Sequence, residues 1–556
     1  MVGKPVHHIF AWSVISFLVI CNCTYGVGQI FIHTEPESEN NRPLPRWVIR
    51  QRSMLLNPQI VLAEKENISL NLFTDLSLTI LKKKLNQRNK DDFTWIGKVS
   101  GDEVSTVVIT VKNKHLSAQI DSKSGLFSIK PVGEIHLISE INPAFDESAG
   151  YIDEKLSKKK AKKIITTINK SITINNVNYS QTDDFLAPTL STTQNDLYEK
   201  TEKEETSESR DEGSESGNFI DLMIIYSSDV ANASADIQAE LTNNIEYANE
   251  VLAKSCVHTR LRLVHSEEIN YEETGYSLLD LVCLTTPSLS YCGNDLPLMQ
   301  NIHTLRDIYG ADLVQFWVEN NTDACGIGWT QVDQALGFSV KLHSCGASSS
   351  IHEIGHNLSL SHDRYQSKVS IYNYAASNGS AYGHVLTQLK VRDIMSYNTE
   401  CSDSNISCQR IGYFSNPQLI FNGAPLGIPG IADTVSRLNI TRTRVANYRQ
   451  AITPYAVDTN LGCEETTSKD KNSPCFIASA IYGNPHHPHV EILRNFKERH
   501  LLSHPWGKRF VSWYYRHSPY YAQIIKEHPS LQKVLQQIFK TLLTPVAFAL
   551  AYENEK

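Results

Sequence analysis

The sequence predicts an α+β protein with three folded parts: a small β-rich domain, a domain built on a twisted mixed sheet, and a mainly helical C-terminal module. Three observations lead to this prediction. Short runs of alternating apolar and polar residues occupy residues 60–142, strand-like and helix-like segments alternate through residues 219–450, and aromatic residues at helical spacing follow Cys475. The expected segments are 1–26 (signal peptide), 27–180 (β-rich domain), 181–218 (acidic disordered linker), 219–450 (mixed-sheet domain), 451–474 (second linker) and 475–556 (C-terminal module).

The N-terminus has the features of a secretory signal peptide. Lys4 precedes an apolar run, residues 9–20, that is short for a membrane span, and small residues follow near Gly26. We therefore expect an exported protein, either secreted or exposed at the cell envelope. A lipid anchor at Cys21 or Cys23 is the alternative. The net charge of -8 gives no electrostatic reason to expect a nucleic-acid partner.

The β-rich domain and the linker differ sharply in composition. Residues 94–99 and 106–111 alternate apolar and polar side chains, which is typical of strands. A lysine cluster at 158–163 follows, and then a Ser/Thr/Glu-rich acidic stretch from 181 to 218 that has little apolar surface to bury. This stretch is therefore predicted to be a disordered linker.

Alternation of strand and helix patterns characterises the next domain. Residues 219–226, 261–269 and 311–318 have the apolar runs of buried strands, and residues 233–253 have the period of a helix. A further strand, 337–342, leads into a histidine-rich helix. Such a pattern favours a layered arrangement of helices on a sheet.

Disulfide bonds are expected in an exported protein. Removal of Cys21 and Cys23 with the signal peptide leaves nine of the eleven cysteines, so at least one thiol stays free or pairs elsewhere. Close spacing nominates three pairs, although the sequence alone does not fix the connectivity: Cys283 with Cys292, Cys325 with Cys345, and Cys401 with Cys408.

The histidine-rich helix has the spacing of a metal site. His352 and His356 are four residues apart, so they lie on one face of a helix and both rings can reach one ion, while Glu353 lies beside them, placed to take a proton from metal-activated water. A catalytic zinc needs three protein ligands and an open position, and His362 is the candidate for the third ligand. The chain must turn after Leu358 to bring it back. Ser359 occupies the position where glycine normally makes that turn.

The segment Arg392-Asp393-Ile394-Met395-Ser396-Tyr397-Asn398, which follows the histidines, resembles the methionine turn of metzincin zinc metallopeptidases. The resemblance implies one catalytic Zn²⁺ ion and leaves any structural Ca²⁺ open. It also implies that Met395 forms an apolar floor under the zinc histidines. Tyr397 matches the tyrosine that stabilises the oxyanion in astacin-like and serralysin-like members. Asp363 is similar to the acidic residue of the reprolysin-like and peptidyl-Asp metallopeptidase-like branch, where it bonds to structure below the metal.

The resemblance covers residues 219–450 and extends weakly to the β-rich region, which is similar to the N-terminal domain that precedes reprolysin-like bacterial peptidases. We therefore expect a propeptide-like domain and a zymogen, cleaved near the lysine cluster or in the acidic linker. The alternative is that the domain stays attached as a folding aid. No cysteine occurs between Thr24 and Ser255, which excludes a propeptide cysteine that blocks the zinc.

The segment from Cys475 through Pro485, with residues 491–497 and 514–519, resembles the CFI-box C-terminal domain of varied bacterial exported proteins. This resemblance implies a bacterial origin and a cell-envelope or sorting partner for residues 475–556.

The whole sequence is thus expected to form a secreted zinc endopeptidase with protein or peptide substrates. Glu353 would act as general base toward water and then as proton donor to the leaving amine. The alternative function is a catalytically weak or inactive metal-binding adhesion or interaction protein displayed through its C-terminal module. The intact Glu353 favours the enzyme, and Ser359 is the one local departure from the motif.

Overall fold

The computed structural model describes the folded parts of the chain. The described residues are 30–33, 44–57, 62–142, 178–180, 187–189, 217–286, 296–321, 324–330, 333–367, 380–421, 424–428, 431–452, 476–482, 488–501 and 504–543. The predicted signal peptide, the lysine cluster and Cys292 lie outside these residues, as does most of each predicted linker.

Residues 30–142 contain a nine-stranded antiparallel sheet, called here the β domain. Its strands are β1 (Phe31–His33), β2 (Val48–Leu56), β3 (Asn67–Phe73), β4 (Leu76–Asn89), β5 (Asp92–Val99), β6 (Thr106–Lys112), β7 (His115–Ser122), β8 (Gly125–Val132) and β9 (Ile135–Ile141). They are ordered β1-β2-β9-β8-β7-β6-β5-β4-β3. The predicted β-rich N-terminal region is therefore confirmed.

Both faces of β5 and β6 are buried, each against a different neighbour. Trp95 and Ile109 pack inside the β domain itself. The next residues in the alternation, Ile96 and Val108, point to the opposite face and join a core cluster of the following domain. The two-residue period of the strands thus connects two hydrophobic cores.

Two short strands, β10 (Asn178–Ser180) and β11 (Ala187–Thr189), pair antiparallel between the two domains in sequence. β11 lies inside the stretch that the composition predicts to be disordered.

Residues 217–452, called here the mixed domain, contain a five-stranded sheet in the order β13-β12-β14-β16-β15. Its strands are β12 (Phe219–Ser227), β13 (Arg260–Ile269), β14 (Leu313–Val318), β15 (Gly326–Gly328) and β16 (Phe338–Leu342). Four strands are parallel, and β15 runs antiparallel along one edge beside β16. The central strand β14 is buried along its whole length, as expected for a parallel strand covered on both faces.

Helices cover both faces of this sheet. They are α1 (Ser228–Ala233), α2 (Ile237–Lys254), α3 (Ser277–Thr285), α4 (Leu296–Ile308) and α5 (Ala347–Asn357). Helices α3 and α4 pack on the face that carries Met223 and Ile225. Helices α2 and α5 pack on the face that carries Leu222 and Ile224.

The helix predicted over residues 233–253 begins at Ile237 in the structure, and Ala233 is the last residue of the separate helix α1. Asp236 separates α1 from α2 and accepts a hydrogen bond from the backbone N–H of Ala239, so it is the N-cap of α2. This capping chemistry explains why the apolar period across 233–253 does not make one continuous helix.

The remainder of the mixed domain follows α5 in the chain. It consists of β17 (Val385–Leu386), β18 (Val391–Arg392), α6 (Thr399–Asp403), β19 (Gln409–Arg410), β20 (Asn416–Phe421), β21 (Ala424–Leu426) and α7 (Thr434–Val445). Disulfide bonds join Cys325 to Cys345 and Cys401 to Cys408, as the spacings predict. Cys283 is also disulfide-bonded.

The described part of the C-terminal module is helical, with α8 (Phe476–Tyr482), α9 (Pro488–Phe496), α10 (Pro505–Glu527) and α11 (Pro529–Ile538). Its small core includes Ile481, Val511 and Ile525. Among the described residues, no helix has the length and apolar character needed to cross a membrane.

Candidate metal centre

Helix α5 positions the first two histidines. Ile351 and Ile354 face the core of the mixed domain, and every residue of this eleven-residue helix is buried. His352 and His356, four residues apart, lie on its other face. The fixed helix therefore holds two imidazoles side by side.

A tight turn returns the chain to these histidines. Ser359 has a φ of 71°, in the left-handed region, as expected at this position. Its backbone N–H donates to His356 O at 2.8 Å, and the N–H of Leu360 donates to Gly355 O at 3.0 Å, so the last turn of α5 is satisfied. The Ser359 hydroxyl accepts a hydrogen bond from Arg437 at 3.1 Å. The turn brings His362 back toward α5.

The Nε2 atoms of the three histidines converge. They lie 3.1 Å apart for His352 and His356, 3.1 Å for His356 and His362, and 3.3 Å for His352 and His362. Three nitrogens bound about 2.0 Å from one tetrahedral ion would lie about 3.3 Å from one another. The group therefore has the dimensions of a metal site, and the three residues could hold an ion.

Backbone carbonyls orient two of the rings. His352 Nδ1 faces Ile394 O at 2.8 Å, and His356 Nδ1 faces Leu360 O at 2.8 Å. A carbonyl only accepts, so each Nδ1 carries the proton and each Nε2 presents a lone pair to the centre. Converging lone pairs repel one another unless a cation lies between them. The arrangement of the three histidines therefore fits a metal ion.

Burial keeps these imidazoles neutral. It lowers the pKa of His356 to about 4. Burial also lowers the pKa of His352 and His362 well below the ordinary value, with a further contribution from the neighbouring His356. The rings are thus in the ligand form at neutral pH.

The segment predicted to be a methionine turn, residues 392–398, contacts α5 and His362. Met395 is completely buried, and a methyl group added to Gly355 of α5 would lie 2.6 Å from its sulfur. The ring of Tyr397 packs on His362 with centroids 4.1 Å apart. Asp363 accepts a hydrogen bond from the backbone N–H of Tyr397 at 2.8 Å and so ties the third histidine's segment to the turn. Met395, Tyr397 and Asp363 therefore lie beside the histidine segments.

The edge strand β15 passes directly beside Glu353. A Cβ atom on Gly326 would lie 2.6 Å from Glu353 Oε1, and one on Gly328 would lie 2.7 Å from the Glu353 carbonyl oxygen. Only glycine allows this approach. No role was predicted for these glycines from the sequence. Two glycines separated by one residue on a short strand are the signal that could have indicated a close approach of the backbone.

Arg410 is a second residue near the centre that motif reasoning missed. It lies on β19 and is buried. Burial is the main cause of the low pKa of His352 and His362, and the positive charge of Arg410 lowers both further. The guanidinium therefore lies within electrostatic reach of His352 and His362.

The mixed sheet with its edge strand, helix α5 and the three converging histidines together form a candidate metal centre. Residues 238–363 match the family model for the reprolysin-like peptidases of metallo-peptidase family M12B. This part of the chain is therefore similar to the reprolysin-like metallopeptidases.

Curated relatives agree with this family. The chain is 31% identical over 234 residues to a peptidyl-Asp metalloendopeptidase of Stenotrophomonas maltophilia, which covers 41% of this chain and 52% of that protein. It is 28% identical over 280 residues to one of Pseudomonas aeruginosa, covering 45% of this chain and 44% of the relative. A third, from Xanthomonas campestris, is 31% identical over 234 residues, covering 41% and 51%. The chain thus spans about half the length of the relatives it matches.

Proposed function

We propose that the protein is a zinc endopeptidase in which His352, His356 and His362 hold one catalytic zinc ion. The observation that carries this proposal is the convergence of three neutral Nε2 atoms at 3.1 to 3.3 Å inside a reprolysin-like domain. Three histidines leave one coordination position open, which suits a catalytic site better than a structural one. Zinc, when bound, supplies Lewis acidity for peptide-bond hydrolysis.

The residues of the chain supply the proton transfers and the charge stabilisation. Glu353 takes a proton from the attacking water and then delivers it to the nitrogen of the leaving amine. Tyr397, whose ring packs on His362, stabilises the negative oxygen that forms on the substrate carbonyl. Met395 and Asp363 hold the histidines and the segment 392–398 in their relative positions.

A Glu353→Gln variant tests the assigned base. It should bind zinc at near-unit stoichiometry like the parent, because the ligands are intact, and should lose 10²- to 10⁴-fold in kcat on casein or a peptide library, because no carboxylate accepts the proton. The matched control is Glu267→Gln on β13, at the other edge of the sheet, which should behave like the parent.

Two results would reject the proposal. If the full-length protein binds no zinc, the assignment of His352, His356 and His362 as zinc ligands is wrong. If the Glu353→Gln variant cleaves as fast as the parent, Glu353 is not the general base, and the assignment of the zinc ligands is unaffected.

We further propose that the enzyme prefers substrates with an acidic side chain beside the cleaved bond. The relatives are named for Asp, and Arg410 places a buried positive charge near His352 and His362. A guanidinium binds a carboxylate with two parallel hydrogen bonds, which favours Asp over Asn.

Paired peptides that differ only in Asp or Asn test this preference. Arg410→Gln should lower kcat/KM for the Asp peptide by about tenfold relative to the Asn peptide, since a charged hydrogen bond is lost. Equal loss on both peptides would mean that Arg410 only supports the fold.

The location and the outer parts of the chain complete the proposal. We infer export through the N-terminal signal, and a cell-envelope or sorting partner for the CFI-box-like module. The competing function, an inactive metal-binding interaction protein, predicts zinc binding without hydrolysis, so the same zinc and cleavage measurements separate the two.

A further inference from the structure

We propose that the β domain is a permanent part of the catalytic unit, and that Gln119 of this domain caps and positions the helix that carries His352 and Glu353. Chain cleavage between residues 142 and 217 would then leave the two domains bound to each other. The binding part of this proposal stands alone. Its catalytic part rests on the proposed function.

The first observation is the polar match between the β domain and helix α2. Asn243 donates to Val108 O at 2.9 Å and to Ser117 O at 3.1 Å. Tyr247 donates to Asp121, and Lys254 donates to Thr106 Oγ1 at 2.5 Å. Residues 243, 247 and 254 share one face of α2, so that this face is built for polar contact with β6 and β7. Because all of these groups are buried, separation of the domains would expose a specific set of partners.

The second observation concerns the start of the active-site helix. Helix α5 begins after Gly346, and no side chain of its own segment caps it. The oxygen of Gln119 instead accepts a hydrogen bond from the backbone N–H of Ala347 at 3.0 Å, across 228 residues of sequence. Gln119 therefore does the work of an N-cap from another domain.

Two further contacts hold Gln119 and its neighbourhood in place. The amide nitrogen of Gln119 donates to Asp121 at 2.7 Å, which fixes the amide orientation. Gly346 has a φ of 83°, and a Cβ there would lie 2.6 Å from the Gln119 oxygen, so glycine is what lets this side chain approach. Lys130 of the β domain also donates to the carbonyl of His343, just before the helix.

These contacts lie at the N-terminal end of α5. Ala347 precedes His352 by five residues and His356 by nine, which corresponds to about 7.5 Å and about 13.5 Å along a helix. The described contacts of His352 and His356 at the metal-binding end come from within the mixed domain, at Ile394 and Leu360. Among the described residues, the β domain therefore contacts the N-terminal end of α5, whereas the metal-binding end is contacted from within the mixed domain.

Cleavage of the full-length chain tests the permanent association. A recognition sequence for a specific protease is placed near residue 200, the chain is cut, and the product is run on a size-exclusion column without denaturant. We expect both pieces to elute together with zinc content unchanged, and casein cleavage to stay within about twofold of the uncut protein. Separation of the pieces, or a large rise in activity as the β domain leaves, would overturn the proposal. Elution and zinc content do not depend on peptidase activity, so a failure of the proposed function is recognised separately.

Substitution of Gln119 tests the positioning role. Gln119→Leu should weaken zinc binding, measured by competition with a chelator, about fivefold, because the start of α5 loses its cap. We expect kcat to fall by a similar factor with KM within twofold, since α5 carries catalytic groups. The matched control is Gln51→Leu, whose amide bonds Ser139 within the same sheet, and it should bind zinc like the parent.

A double variant keeps the test decisive if Gln119→Leu fails to fold. Gln119→Glu combined with Asp121→Asn exchanges the donor and the acceptor of the bond between these two side chains. The new carboxylate at position 119 accepts from Ala347 N–H and from the new amide nitrogen at position 121. The new amide oxygen at position 121 still accepts from Tyr247. The double variant should restore zinc affinity to within twofold of the parent. Parent-like zinc affinity in Gln119→Leu, or no recovery in the double variant, would refute the role of Gln119.

Discussion

Ser359 offers a sharp test of how the third histidine is returned to the site. Its φ of 71° is costly for a residue with a Cβ, by about 1 to 2 kcal/mol. Its hydroxyl in turn accepts a hydrogen bond from the buried Arg437 at 3.1 Å, and a bond to a charged group contributes about 1.5 to 3 kcal/mol. The two effects oppose each other and are close in size.

Two substitutions separate these effects. Ser359→Ala keeps the backbone strain and loses the hydrogen bond, so it should destabilise the mixed domain by about 2 kcal/mol. Ser359→Gly loses the same bond but relieves the strain, so it should be within about 1 kcal/mol of the parent. Glycine should therefore be more stable than alanine by about 1 kcal/mol, the reverse of their order in a helix.

Scanning calorimetry of the full-length protein measures this order. A difference of about 1 kcal/mol corresponds to about 2 to 4 °C in Tm for a domain of this size. The scans should be run with excess zinc and again with chelator, because ligand binding shifts Tm by itself. An alanine variant as stable as the glycine variant in both conditions would refute the strain argument.

Two further predictions concern the edge strand and the β domain. Gly326→Ala places a methyl group 2.6 Å from Glu353 Oε1. We therefore expect kcat to fall at least tenfold while the zinc content stays at the parent level. A parent-like kcat would mean that the edge strand moves away at little cost. Burial lowers the pKa of His136 to about 4, and its Nε2 accepts from Leu116 N–H at 3.0 Å, so the ring is neutral in the fold. Below pH 6.5 the unfolded chain therefore binds a proton that the native state does not, and stability should fall by up to about 3 kcal/mol as pH drops from 6.5 to 4. His136→Gln should lose less Tm than the parent over this range, and identical pH profiles would contradict the assignment.

The metal centre was predictable because its information is local. Helical spacing places His352 and His356 on one face, and a left-handed turn at Ser359 is what a short return to His362 requires. The pairs Cys325–Cys345 and Cys401–Cys408 follow from close spacing in the same way. Each prediction needs only the geometry of a few consecutive turns of chain.

The surroundings of the centre were less accessible. Alternation in residues 94–99 and 106–111 indicated strands, but the pattern carries no signal of which neighbour covers their second face. Arg410 and Gly326 reach the site from separate strands, and the sequence pattern does not reveal how close either residue comes to it.

The sequence by itself determined the three histidines, Glu353 beside them and the turn that joins them, because helix period and turn chemistry act over short distances. Only the tertiary structure decided that Gln119 meets Ala347 and that α2 turns its polar face to β6 and β7. Such contacts depend on how two hydrophobic cores pack against each other, since shape and buried hydrogen-bond partners are set by residues far apart in the chain.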